Sequence, residues 1–284
     1  MQKLASINIT VSTQPPPTFF HLSLLIAGAF TFAYCFGVII HEIGHVLAYW
    51  YYGISTTTLV LDPLGHSYMT PAIENPEGEL LQRSGGTLFN VFCAILSASF
   101  FWKKKSLFAL PILIWPASAL IQESIAIILD VINGLPFDWA FVVASGIPIY
   151  MVLLLSIIFL ISGCGVFLYL LSIAGISKSW PTPKIIASCL IAVTPFFIIS
   201  LIYALFFLES DRDNWVLSKS IALGASILLS IIMAFMFKPS IYFLQTMLGT
   251  KPGTNSKQRL TLGPVILSNI TALFIILFCG LFFN

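Results

Sequence analysis

The chain alternates between long apolar stretches and short polar intervals. Each apolar stretch has about 20 residues or more, enough for an α-helix to cross a bilayer. Seven such stretches cover residues 18–52, 84–102, 107–132, 149–173, 185–208, 215–237 and 262–283. The pattern therefore predicts an all-α polytopic membrane protein with about seven transmembrane helices.

Composition supports an integral, multi-pass membrane location. Hydrophobic residues make up 58% of the chain and charged residues only 8%, whereas soluble domains have about 25% charged residues. The net charge of +2 and the lack of a basic patch exclude nucleic acid as an expected partner. The five cysteines lie in apolar stretches without metal or redox spacing, so we interpret them as core residues.

The interval after the first stretch, residues 53–83, is polar and rich in β-branched residues. Residues 56–61 and 66–69 flank Asp62-Pro63-Leu64-Gly65, a turn signal that predicts a short β-hairpin. His66 beside this turn is more simply a solvated side chain than a metal ligand. The first stretch exceeds the bilayer thickness, so we expect it to tilt, protrude or break near Gly28 or Gly37.

The strongest chemical signal lies near the end of the first stretch, in His41-Glu42-Ile43-Gly44-His45. Histidines four residues apart share one face of a helix and can bind one Zn²⁺ ion. A carboxylate beside the first histidine, Glu42, is placed to accept a proton from water that the metal activates. The alternatives are a chance match and a pair of histidines that only join neighbouring helices.

A third ligand is expected after the third apolar stretch. Residues 133–139 interrupt the helical pattern at membrane depth, where irregular backbone is tolerated only inside protein or beside a wet cavity. Asp138 in this break is our candidate, which would leave the fourth zinc position open for water. Asp138 could instead cap the next helix, and Asp130 and Glu123 are alternative ligands.

Two further features concern the second stretch and the end of the chain. Ser84-Gly85-Gly86 predicts close packing of the second helix, and Asn90 one turn later either binds an extended substrate or bonds a neighbouring helix. Residues 238–260 are basic and are expected on the membrane surface.

The positive-inside rule places the N-terminus in the cytoplasm and the metal motif nearer the outer face.

These motifs together resemble the site-2 protease family of intramembrane zinc metalloproteases. The resemblance covers about the first 150 residues, with the motif at His41, the hairpin-like segment, the Gly-rich second helix with Asn90, and Asn133-x-x-Pro136-x-Asp138. It implies a three-helix core that holds one Zn²⁺ through His41, His45 and Asp138, with Glu42 as general base. It also implies that the hairpin presents a transmembrane segment of another protein as an added strand.

The sequence thus predicts a tail over residues 1–17, a metalloprotease core over 18–148 and additional transmembrane helices over 149–284. The predicted activity is hydrolysis of a peptide bond in or near a transmembrane segment of a protein or peptide substrate. A metal or solute transporter with a midplane site and an inactive scaffold that keeps the fold are the alternatives.

Overall fold

The structure is a computed structural model that describes residues 19–62, 64, 67–73, 79–101, 106–133, 138–176, 180–207, 212–247 and 262–282. These ranges contain eight α-helices and one two-stranded sheet. In chain order they are α1 (Phe19–Tyr51), β1 (Thr56–Val60), β2 (Tyr68–Pro71), α2 (Glu79–Phe101), α3 (Leu110–Asn133), α4 (Asp138–Ala144), α5 (Ile149–Ala174), α6 (Thr182–Phe207), α7 (Arg212–Met247) and α8 (Leu262–Phe282).

Six of the described helices, α1, α2, α3, α5, α6 and α7, are long and apolar enough to cross a membrane. Helix α8 covers the seventh predicted stretch, with a shorter described apolar segment, Leu262–Leu277. The predicted all-α polytopic membrane fold with a short hairpin is therefore confirmed.

Helix α1 is the central column of the bundle and contacts α2, α3, α6 and α8. Its 33 residues correspond to about 50 Å at 1.5 Å per residue, which exceeds the hydrocarbon thickness of about 30 Å. The helix runs without interruption through Gly28 and Gly37. Of the three expected alternatives for this stretch, which were to tilt, protrude or break, α1 does not break at either glycine.

Gly28 is the point where α8 crosses α1. A Cβ atom at this position would lie 2.9 Å from backbone atoms of Ser268 and Asn269. The Asn269 amide donates to the Leu24 carbonyl at 3.1 Å across the same crossing. Small residues that let two backbones approach are typical of helix pairs in membranes, so Gly28 sets the separation between α1 and α8.

The hairpin after α1 has the predicted antiparallel pairing, with Val60 opposite Tyr68 and Thr58 opposite Thr70. Asp62 organises the connection, because its carboxylate accepts from the Leu64 amide at 3.1 Å. His66 lies outside the described residues.

Helix α7 differs from its prediction. It continues past Pro239 to Met247, so the segment predicted to lie on the membrane surface is helical at least to that residue. The remainder, residues 248–260, lies outside the described part of the chain.

The predicted core and the additional helices share one apolar cluster. Helix α5 packs along α3, where a Cβ at Gly163 would meet Ile121 at 2.9 Å. Fully buried Phe167 of α5 makes an edge contact with Phe30 of α1. The helices after residue 148 therefore complete the core around α1 and α3.

We predict that Gly28→Ala destabilises the protein by about 1–3 kcal/mol, because the added methyl group must push α8 away from α1. Gly165→Ala is the matched control, since a Cβ there meets no atom within 4 Å. Thermal unfolding in detergent tests both variants, and equal melting temperatures would contradict the crossing.

Candidate metal centre

His41 and His45 lie one turn apart on α1 and turn their Nε2 atoms towards each other. The two Nε2 atoms are 3.1 Å apart. Asp138, the first residue of α4, places Oδ2 3.0 Å from His45 Nε2 and 3.4 Å from His41 Nε2. The structure thus brings together the three side chains that the sequence predicted as ligands, and as a group they can hold a metal ion.

The triangle formed by these atoms has the size of one face of a zinc tetrahedron. Ligands at 2.0–2.1 Å from a tetrahedral Zn²⁺ are separated by roughly 3.3–3.4 Å. The three separations here span 3.0–3.4 Å. Two imidazole nitrogens and one carboxylate oxygen therefore fit a zinc site with a fourth position open.

The outer nitrogens of both histidines fix which ring nitrogen faces the site. His45 Nδ1 lies 2.7 Å from the Gln82 carbonyl oxygen, which only accepts, so Nδ1 carries the hydrogen. His41 Nδ1 donates in the same way to Glu123 Oε1 at 2.8 Å. Both Nε2 lone pairs then face the centre beside a carboxylate oxygen, an arrangement that needs a positive charge among them.

Asp138 lies outside the spanning helices and enters this group as an anion. Burial by itself would raise the pKa of its carboxyl. When protons on the Nε2 atoms supply the positive charge, the charged His45 and hydrogen bonds from both histidines outweigh burial and hold that pKa well below its usual range. A metal ion in place of these protons would favour the carboxylate in the same way. The carboxylate is therefore available to a metal ion at neutral pH.

Glu123 supports the site from α3 and is not in the ligand group. Its Oε1 accepts from His41 Nδ1 and from the Asn90 amide at 2.9 Å, and its Oε2 accepts from Thr87 at 2.6 Å. The carboxylate is 1% exposed, so these three bonds supply the partners that a buried anion requires. Glu123 orients His41 in the way that outer carboxylates orient metal-binding histidines.

Asp130, the other alternative ligand, holds α4 in place. Its Oδ2 accepts from the backbone N–H of Trp139 at 3.3 Å, in the first turn of α4. The Trp139 indole also donates to Thr87 at 3.2 Å. These contacts fix the residue that follows Asp138 and so aim the Asp138 carboxylate at the histidines.

Asn90 joins α2 to α3. Its side chain is fully buried, its amide group donates to Glu123, and its carbonyl oxygen accepts from the Trp115 indole at 3.1 Å. These contacts agree with the alternative in which Asn90 bonds a neighbouring helix, whereas its binding of substrate stays a prediction.

The glycine-rich turn of α2 packs directly against the motif, as predicted. A Cβ at Gly44 would lie 2.5 Å from the Gly85 carbonyl oxygen, which shows how close α1 and α2 are. A Cβ at Gly86 would lie 2.5 Å from His45 Nε2 and 2.6 Å from His41 Nε2. Only glycine at position 86 therefore leaves room for the two imidazoles as they stand.

Glu42 lies between two cavities that meet at the candidate ligands. One, of about 170 Å³, also touches His45 and Asp138, while the other, of about 280 Å³, also touches His41 and Asp138. The side chain is 8% exposed. Its carboxylate has no hydrogen-bond partner among the described residues, so it is free to act on a molecule in either cavity.

Several contributors to this centre were not predicted. The Gln82 carbonyl and the side chains of Thr87, Trp115 and Trp139 complete the bonds around His45 and Glu123. Thr87 lies three residues before Asn90 on the same helix face. This spacing of polar residues in an apolar helix is the sequence feature that could have identified Thr87.

Comparison with protein-family models, with curated proteins and with solved structures gives no match for this chain. Any assignment of function therefore depends on the geometry described above.

We predict that the purified protein binds about one zinc ion per chain and that Asp138→Asn loses it, because a third ligand is removed. Asp130→Asn is the matched control and should retain zinc, since its amide oxygen can still accept from the Trp139 N–H. Metal analysis of detergent-solubilised protein measures both. Zinc retained by Asp138→Asn but lost by Asp130→Asn would reverse the assignment.

Proposed function

We propose that this membrane protein is a zinc metalloprotease that hydrolyses a peptide bond in or near a transmembrane segment of another protein. The observation that carries the proposal is the meeting of His41 Nε2, His45 Nε2 and Asp138 Oδ2 beside Glu42, a carboxylate without a hydrogen-bond partner in the described chain. The site-2 protease likeness of the sequence motifs agrees with this arrangement.

The ligand set favours zinc among the common metals. Imidazole nitrogens suit Zn²⁺, whereas Mg²⁺ and Ca²⁺ prefer sites made of oxygen ligands. Two histidines, one carboxylate and an open fourth position form the catalytic type of zinc site. When bound, the metal would supply a Lewis acid that activates water and polarises the peptide carbonyl.

The position of the motif supports hydrolysis inside the membrane. Trp50 and Tyr51 at the end of α1 are 72% and 77% exposed, as expected for aromatic side chains at the membrane–water interface. His41 lies roughly 14 Å from Trp50 at 1.5 Å per residue, towards the N-terminus of the helix. The ligands would then lie well within the hydrocarbon layer, where a transmembrane substrate has its apolar segment.

Glu42 is the group we assign to proton transfer. It accepts a proton from the attacking water while the water oxygen bonds to the peptide carbonyl carbon. The same carboxyl then gives the proton to the leaving nitrogen as the carbon–nitrogen bond breaks. His41 and His45 keep their Nδ1–H groups on Glu123 and Gln82 throughout, so their orientation does not change.

Strand β2 is the element best placed to hold the substrate. Tyr68, Met69 and Pro71 line the 170 Å³ cavity together with Glu42 and His45. β2 pairs with β1 along one edge, and an extended peptide added to a sheet edge gains main-chain hydrogen bonds. A helical substrate unwound in this way would expose its peptide bond beside Glu42.

We predict that Glu42→Gln keeps its zinc but loses hydrolysis of a transmembrane peptide by about 10²–10⁴-fold, because the amide cannot accept the proton. Product formation by mass spectrometry, with zinc content as the folding control, measures the effect.

The outcomes for Glu42→Gln separate the proposal from its alternatives. Full hydrolysis by this variant would contradict the protease mechanism. Zinc flux in proteoliposomes that depends on His41 would favour a transporter instead. Partner binding that is unaffected by Glu42→Gln, with no product from the wild type, would favour an inactive scaffold.

The helices after residue 148 also shape the site. The 280 Å³ cavity beside His41 and Glu42 is also lined by Val193 and Phe197 of α6 and by Ala222 of α7. The cavity is mostly apolar and is large enough for a bulky side chain next to the cleaved bond. The second half of the chain thus provides one wall of the proposed substrate pocket.

Filling this cavity from α7 tests the role of that wall. Ala222→Phe should lower hydrolysis about tenfold or more, because a displaced substrate loses its alignment with the reacting groups. Gly224→Phe, two residues along the same helix, is the matched control, since Gly224 is exposed and its Cβ would meet no atom within 4 Å. Equal activity of the two variants, both with full zinc, would contradict a pocket at this place.

A further inference from the structure

The first turns of α2 form part of the lining of the 170 Å³ cavity. Gln82 and Arg83 form this part of the wall, and both line the cavity together with Glu42, His45 and Asp138. Both residues lie next to the proposed reaction site, but their side chains have no role in the mechanism above.

Gln82 supplies the first candidate donor in this wall. The residue is 2% exposed, and its backbone carbonyl accepts from His45 Nδ1 at 2.7 Å. Its side-chain Nε2 is buried and forms no hydrogen bond with any described residue. A buried donor left unpaired is costly, and in a cavity wall it is available to an acceptor that belongs to a ligand.

Arg83 presents a positive charge to the same cavity. Its guanidinium carbon lies 4.0 Å from the centre of the Phe141 ring, one turn after Asp138 on α4. Its Nε is buried and has no hydrogen-bond partner in the described part of the chain. A guanidinium packed against a ring still has its N–H groups free in its own plane, where they bind planar or anionic oxygen groups.

We propose that Gln82 and Arg83 form a subsite for the carbonyl oxygen of the cleaved peptide bond, which becomes negatively charged as water adds to the carbon. This inference rests on the proposed function. When the carbon–oxygen bond forms, the electron pair of the carbonyl moves to that oxygen, and it returns when the carbon–nitrogen bond breaks. Donors fixed before the reaction stabilise such a charge most strongly where water is excluded.

The charge balance of the cavity favours this ligand. A divalent metal and Arg83 together would balance the three carboxylates Asp138, Glu42 and Glu123. When water adds, its proton passes to Glu42, so one negative charge moves from Glu42 to the substrate oxygen, beside Arg83. The alternative role for Arg83 is purely structural, as a clamp that holds Phe141 and therefore α4 in position.

The test uses a phosphoramidate dipeptide, which carries a charged tetrahedral group, and 1,10-phenanthroline, a neutral zinc chelator. Zinc-loaded protein in detergent is titrated with each compound, and binding is followed by the shift in melting temperature. We expect Gln82→Leu and Arg83→Lys each to weaken phosphoramidate binding about 10- to 100-fold. Zinc content and the phenanthroline concentration that removes zinc should stay unchanged. Ser220→Leu is the control, because Ser220 is exposed on α7 and lines neither cavity, and it should bind the phosphoramidate like the wild type.

Each other outcome has a defined meaning. Equal phosphoramidate affinity in Gln82→Leu, Arg83→Lys and the zinc-loaded wild type overturns the subsite and leaves the proposed function intact. Loss of zinc in both variants identifies them as clamps of the ligands and overturns the subsite as well. A wild-type chain that binds no zinc overturns the proposed function and this inference together.

Discussion

Two imidazole nitrogens and a carboxylate oxygen within 3.4 Å of one another, inside an apolar helical bundle, impose the constraint on which this structure depends. Polar and ionisable groups at membrane depth are costly unless other groups compensate them. The outward Nδ1 atoms of His41 and His45 are compensated by Glu123 and by a carbonyl. The inward atoms require a positive charge among them, and their spacing is one at which a metal ion could supply it.

The surrounding helices hold His41, His45 and Asp138 in position. Gly44 and Gly86 let α1 and α2 come close enough for the imidazoles to fit. Asp130 and the Arg83–Phe141 contact fix α4, which carries Asp138. The later helices pack on α1 and α3 and close the larger cavity, so the centre depends on both halves of the chain.

Features that depend on spacing within one helix could be predicted from the sequence, whereas contacts between helices could not. His41, Glu42 and His45 follow from spacing within one helix, and the helix break before Asp138 marked that residue as a ligand. The partner of Asn90 depends on how α2 meets α3, which no local pattern specifies. The length of α7 also departed from prediction, because tertiary packing can outweigh the local effect of a proline such as Pro239.

X-ray absorption spectroscopy of the zinc-loaded protein reports which atoms bind the metal, and so tests whether His41, His45 and Asp138 form the centre. We expect a first shell of nitrogen and oxygen only, at about 2.0–2.2 Å, with the multiple-scattering signal of two imidazoles. The chain also contains five free cysteines, which are strong competing zinc ligands. A sulfur shell near about 2.3 Å, or the absence of imidazole scattering, would contradict a centre built from His41, His45 and Asp138.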